Sequence, residues 1–119
     1  MESTPGRLKD TLVVFSRAGM GTADPALQEK LAGTWLRLVL DGGDLPGAIC
    51  FYADGVKLAV EGSPVLETLA KLESRGVHLV LCKTCLDFFG LSEKVRVGVV
   101  GGMGDILAAQ TLAAKVVAL

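Results

Sequence analysis

The run Gly76-Val77-His78-Leu79-Val80-Leu81-Cys82-Lys83-Thr84-Cys85-Leu86-Asp87-Phe88-Phe89-Gly90 decides the fold. Val77 to Leu81 is an apolar stretch of strand length that passes straight into Cys82-Lys83-Thr84-Cys85. A short helix is predicted from about Thr84 to Phe89, with Gly90 as its stop and Gly76 as the stop of the helix before. A buried strand feeding directly into a helix is half of a crossover unit, the connection that parallel strands require.

Outward from this run the same alternation repeats. Leu12-Val13-Val14-Phe15 reads as a first strand, apolar throughout because both of its faces are to be covered. Asp24-Pro25 supplies a helix cap followed by proline at the first helical position. Leu27, Leu31, Trp35 and Val39 then form the expected inner stripe, and Gly42-Gly43 end that helix. Pro46-Gly47 turn into a strand from Ala48 to Tyr52. Ser63-Pro64 repeat the cap-and-proline start, with Leu66, Leu69 and Ala70 as the next apolar stripe. Val97 to Val100 is a fourth strand, a helix follows from about Asp105 to Ala113, and Lys115 to Leu119 closes as a fifth strand. The expected fold is therefore an α/β three-layer sandwich, with a central, mostly parallel five-stranded sheet and helices on both faces. Residues 1–9, with Ser3, Thr4, Pro5 and Gly6, read as a flexible tail, and 10–119 as one domain.

The composition excludes several classes. Lys and Arg number 12 against 13 Asp and Glu, so no basic face is available to neutralise nucleic-acid phosphates. Half of the residues are hydrophobic, too many for a disordered chain. Met1 to Asp10 carries no apolar export signal, and charges or glycines interrupt every apolar run before it could span a membrane, so a cytoplasmic globule is expected. The mean hydropathy of +0.49 is high for a small domain, which has much surface for its volume. A homo-oligomer would hide the excess.

In a parallel sheet, ligands gather beyond the carboxyl ends of the strands. The segments expected there are Arg17 to Ala23, Ala53 to Gly62, Cys82 to Cys85 and Gly101 to Gly104. Cys82 is the foremost candidate. At the junction of strand and helix its sulfur can face unpaired amides and the positive end of the helix dipole, with Lys83 as a nearby cation, and all three favour the thiolate. Cys85, three residues on, lies on the same face of the first turn as an auxiliary thiol. A Cys-x-x-Cys pair suits a redox dithiol, half of a zinc site, or a nucleophile with a neighbouring resolving thiol. Lys83, Thr84, Gly19, Met20, Gly21, Gly101, Gly102 and Met103 complete the candidate site as residues binding an anion or a partner. The alternative for the glycines is that they simply let the chain turn closely.

Other residues fit chemistry less well. Zinc would want four ligands, and beyond the pair only His78 and Cys50 remain as soft donors, neither at this edge, so no metal is expected. His78 lies about 13 Å from Cys82 along an extended strand, beyond the reach of a general base. Cys50, between Ile49 and Phe51, reads as core. The Lys83-Thr84 spacer lacks the proline of a thioredoxin-like motif. Asp54-Gly55 reads as a turn. Glu61, Glu67, Lys71, Glu73 and Arg75 read as a solvated face. No cofactor is implied.

Gly55-Val56-Lys57-Leu58, Gly62-Ser63-Pro64-Val65-Leu66 and the stretch from Gly76 to Leu91 together resemble the DsrE/DsrF-like family. Within it they are most like the YchN type and the carboxyl-terminal domains of the YedF type, and Ala109-Gln110-Thr111-Leu112-Ala113-Ala114-Lys115-Val116-Val117 resembles the YchN type as well. The resemblance implies a parallel α/β sandwich that assembles as trimers or hexamers. In sulfur-relay members a cysteine just after the third strand carries sulfur as a persulfide, and Cys82 occupies that position here; the second cysteine matches only some branches. The function so implied is a sulfur relay, a sulfurtransferase-like carrier in which Cys82 passes sulfane sulfur between donor and acceptor protein thiols. It requires that the Cys82 sulfur be reachable from solvent. The alternatives from the residues themselves are an oligomeric module binding a small anion or nucleotide without catalysis, and a Cys-x-x-Cys dithiol redox sensor.

Overall fold

The computed structural model describes residues 9–119. The expected tail falls almost wholly on residues 1–8, outside the described residues. Five strands, β1 (Thr11–Phe15), β2 (Ala48–Phe51), β3 (His78–Cys82), β4 (Val99–Gly101) and β5 (Lys115–Ala118), form one sheet in the order β4-β3-β2-β1-β5. Every neighbouring pair is parallel. The helices are α1 (Pro25–Gly42), α2 (Leu66–Ser74), α3 (Lys83–Phe89) and α4 (Met103–Leu112). A 3₁₀ helix, Ala53–Ala59, follows β2.

The chain steps from β1 to β2 to β3 to β4 in one direction and then returns across the sheet to β5. Right-handed crossovers therefore put the first three connections over one face and α4 over the other. On the first face Phe15 stacks on Phe51 at 5.7 Å and meets the edge of Trp35 from α1 at 6.3 Å. On the other, Ile106 of α4 is fully buried. Phe15, Phe51, Cys82 and Gly101 end their strands at one edge of the sheet.

Local chemistry explains the boundaries. Asp24 caps α1 by accepting the Ala26 N–H at 2.9 Å, with Pro25 at the first helical position, and Gly43 ends the helix at φ 77°. The inner stripe of α1, however, is Ala32, Leu36 and Leu40, one residue away from the expected row. Leu27 and Leu31 are 47% and 42% exposed, while Trp35 and Val39 lie half-buried at the margin. Both rows are apolar at four-residue spacing, and the sheet covers only one of them.

The segment Ala53 to Gly62 is not the open loop expected. Its 3₁₀ helix buries Val56, Leu58 and Ala59. Gly55 permits this, because a Cβ there would stand 2.0 Å from the Phe15 carbonyl oxygen. Helix α2 begins two residues after Pro64, since Ser63 Oγ accepts the Val65 N–H at 3.2 Å and holds a turn before the helix. Its buried residues are Leu69 and Leu72; Ala70 is exposed. Strand β4 starts at Val99 because Gly98, at φ 80°, approaches β3 so closely that a Cβ would meet Leu81 Cδ1 at 2.7 Å. Helix α4 begins at Met103, ahead of the expected Asp105.

Candidate functional site

Cys82 ends β3 and caps α3, as the sequence suggests, but its side chain makes no capping hydrogen bond. It is 0% exposed, enclosed in the core with Val80, Leu81 and Leu86. The sulfur expected to meet solvent is therefore sealed within the single chain. Cys85, half-buried on the first turn of α3, is the thiol that reaches the surface.

Cys82 is the N-cap of α3 and Cys85 lies on its first turn, three residues on, so the two thiols are neighbours on one turn. Cys85 Sγ also accepts the backbone N–H of Ala53 at 3.1 Å, from the start of the 3₁₀ helix. Ala53 holds φ at 50°, the one non-glycine residue in the left-handed region among the described residues. That conformation is costly for a side chain and persists where surrounding contacts impose it. Burial pushes the Cys85 thiol up, the Ala53 N–H pulls it down, and the neighbouring Cys82 pushes it up again; the net direction is upward. Cys85 at rest is thus a protected thiol with an amide ready to receive its anion.

The remaining candidates divide. Lys83 forms an ion pair with Asp87 at 2.7 Å, one turn along α3. Lys83, followed by the Ser92 hydroxyl, holds the Asp87 carboxyl below its ordinary range. The lysine is engaged by that carboxylate and is not a free cation for the thiols. Thr84 is exposed beside it.

The glycine loops also serve the fold. Gly19 is buried against α1, where a Cβ would stand 2.4 Å from the Gln28 carbonyl carbon, and the Met20 N–H donates to the Gln28 carbonyl at 2.9 Å. The Gly21 carbonyl accepts from Arg17 Nη1 at 2.6 Å. At the fourth strand, Gly101 leaves room for Val80 and Asp105, and the Gly102 N–H donates to Asp105 Oδ2 at 2.9 Å. A carboxylate already occupies the place an anion would take. Met103 is 55% exposed at the head of α4.

Residues not singled out by the sequence reading surround Cys85. Phe88, three residues on and so adjacent on the helix surface, is 85% exposed. Its ring meets Phe89 edge-on at 5.5 Å. Lys57 of the 3₁₀ helix places Nζ 4.4 Å from the Phe89 ring centroid and pairs with Asp54 at 2.7 Å. The Phe88-Phe89 pair beside a cysteine was the one signal available in sequence; the backbone of Ala53 left none. His78 is exposed at the opposite end of β3 from Cys82, and Cys50 is fully buried with its thiol pushed up to about 11 by burial. Among the described residues, His, Cys, Asp and Glu form no group of three or more able to hold a metal.

Comparison with known proteins gives the fold a context. The structure is similar to the crystal structure of the YchN protein from E. coli, with a TM-score of 0.65 and 21% identity over 92% of this chain and 98% of that one. It is similar to MTH1491, a protein of unknown function from Methanobacterium thermoautotrophicum, with a TM-score of 0.68 and 18% identity over 92% and 97%. BT1422 from Bacteroides thetaiotaomicron, also of unknown function, gives a TM-score of 0.65 and 16% identity over 92% and 95%. At these identities the likeness is one of fold. No curated protein matches the chain. The model of the DsrE/DsrF-like family matches residues 27–119, a span that begins within the first turn of α1 and takes in every later helix and strand. The chain belongs to the DsrE/DsrF-like family.

Proposed function

We propose that the protein is a sulfur-relay carrier that holds sulfane sulfur as a cysteine persulfide at the Cys82–Cys85 pair and passes it between protein thiols. One observation carries the reading: two neighbouring free thiols on one helical turn at the carboxyl edge of a parallel sheet, the outer of them half-buried at the surface. Membership of a family related to sulfur relay supports it. The Ala53 N–H aimed at Cys85 would steady the anion that attacks a donor persulfide and the perthiolate that results. Phe88 offers an exposed apolar contact for a donor or acceptor protein beside that thiol.

The working form is a homo-oligomer, a trimer or hexamer. Helix α4 carries large apolar side chains outside its inner face: only Ile106 is buried, and Met103, Leu107 and Leu112 are 55%, 61% and 84% exposed. Such a cluster of exposed apolar side chains is hidden when another copy covers it. A reducing compartment such as the cytoplasm keeps both thiols available. Among the described residues no helix is long and apolar enough to cross a membrane.

The placing of both thiols on one turn also suits a dithiol redox sensor, which would form a disulfide under mild oxidation without taking up sulfur. The anion-binding reading gains little, because the Met20 and Gly102 amides already have partners. Intact mass spectrometry after brief exposure to a persulfide donor tests the proposal. A gain of ~32 Da, absent from the Cys82→Ala/Cys85→Ala double variant, is expected. A disulfide formed with neither a mass gain nor released sulfide, under any donor, would favour the sensor instead.

A further inference from the structure

The two sulfurs are not equivalent, and their arrangement decides where a sulfane atom is loaded and what becomes of it. Cys82 is 0% exposed and enclosed by core side chains, so a donor cannot bring a persulfide to it without opening the sheet edge. Cys85 reaches the surface, and the Ala53 N–H donates to its sulfur. Three residues before it, at the N-cap of the same helix, stands the Cys82 thiol, its neighbour on the first turn.

We infer that Cys85 is the sulfur that is loaded, and that Cys82 discharges the resulting persulfide reductively, so that the protein converts sulfane sulfur to hydrogen sulfide. This rests on the sulfur-carrying reading above and names its product. Loading is an exchange: the Cys85 thiolate attacks the outer sulfur of a donor R–S–SH, the donor S–S bond breaks, and R–S⁻ leaves with its electron pair. Cys85 is then Cys85–S–SH. Its inner sulfur stays on the turn it shares with Cys82, and its outer sulfur lies one S–S bond, about 2 Å, beyond.

Attack by Cys82 on the inner sulfur forms the Cys82–Cys85 disulfide and breaks the bond to the outer sulfur. The outer sulfur leaves with the electron pair and takes the Cys82 proton, giving hydrogen sulfide. The dithiol loses two electrons, the sulfane atom gains them, and an external dithiol reductant resets the pair. Transfer to an outside acceptor competes with this discharge, so the acceptor must reach Cys85 before Cys82 reacts. The substrate class is a low-molecular-weight or protein persulfide presented at the surface beside Phe88.

Glutathione persulfide, supplied in limiting amount to the reduced full chain, tests this with sulfide release and thiol loss as readouts. Wild type is expected to release close to one sulfide per sulfane sulfur and to gain one Cys82–Cys85 disulfide, seen by mapping unreduced peptides. Cys82→Ala is expected to keep the persulfide on Cys85 with at least about a tenfold longer lifetime and background sulfide release. Cys85→Ser is expected to take up no sulfur. Should wild type hold a lasting persulfide with no disulfide, or should Cys85→Ser load Cys82, the discharge is overturned while the carrier reading stands. Should neither adduct nor sulfide arise from any form, the carrier reading fails with it. The wild-type disulfide measurement decides the matter even if Cys82→Ala does not fold.

Discussion

The backbone N–H of Ala53 donates to Sγ of Cys85 at 3.1 Å, joining the 3₁₀ helix after β2 to the first turn of α3 across 32 residues of sequence. It does so from a φ of 50°, a conformation that alanine adopts at a cost. The bond ties the geometry of the thiol to the end of a neighbouring strand, where Gly55 rests against the Phe15 carbonyl.

Glycine at position 53 would keep the amide in place and remove the strain. Ala53→Gly is expected to raise stability by about 1 kcal/mol, with thiol reactivity little changed. Ala53→Val, branched where φ is positive, is expected to lower stability by about 1–3 kcal/mol and to disturb Cys85 as well. Denaturant midpoints combined with iodoacetamide labelling check both.

The Cys85 thiol is raised by burial first, lowered by Ala53 and raised again by Cys82. Removing Cys82 takes away an upward influence, so Cys85 in Cys82→Ala ionises at lower pH. Its alkylation at pH 8 is expected to run severalfold faster than in wild type. A rate–pH profile that shifts upward or stays in place would contradict the coupling.

Cys50 gives a stability signature at alkaline pH. An unfolded thiol ionises near pH 8.5, whereas folded Cys50 is pushed up to about 11. Between these values the unfolded chain releases a proton that the folded chain keeps, so stability falls as pH rises. The loss by pH 11 is on the order of 2–3 kcal/mol. Cys50→Ala is expected to be less stable at neutral pH but to lose that part of the alkaline slope, which urea titrations at several pH values would show.

Leu107, 61% exposed on a helix with a single buried residue, marks the surface expected to be covered in an assembly. Leu107→Glu is expected to reduce the particle to one chain in light scattering while changing far-UV circular dichroism little. A wild-type monomer at micromolar concentration would contradict the assembly.

The architecture was legible because each strand and helix carried its own local signal. Asp24-Pro25 started α1 where expected, Gly43 and Gly90 ended helices, and the apolar runs marked the strands. What was not legible depended on three-dimensional competition. Two adjacent apolar rows on α1 could each have faced the sheet, and only packing chose Leu36 over Leu31. The 3₁₀ helix formed because Gly55 lies against Phe15, a contact invisible in composition. At the site, placing both cysteines at the end of β3 succeeded because strand and helix meet there. The order of exposure did not follow, since Cys82 continues the buried strand while Cys85 begins the half-exposed helix. Lys83 could equally have faced the thiol or Asp87, and the four-residue helical spacing decided for Asp87.

The central claim is that this pair takes up sulfane sulfur through its outer thiol. Trypsin cleaves after Lys83 and so places Cys82 and Cys85 on different peptides. Protein exposed for seconds to a limiting persulfide donor, quenched with iodoacetamide and digested, should carry the extra sulfur first on the peptide beginning at Thr84. The account is contradicted if that peptide remains unmodified at every time point while the same donor persulfidates an unrelated control thiol.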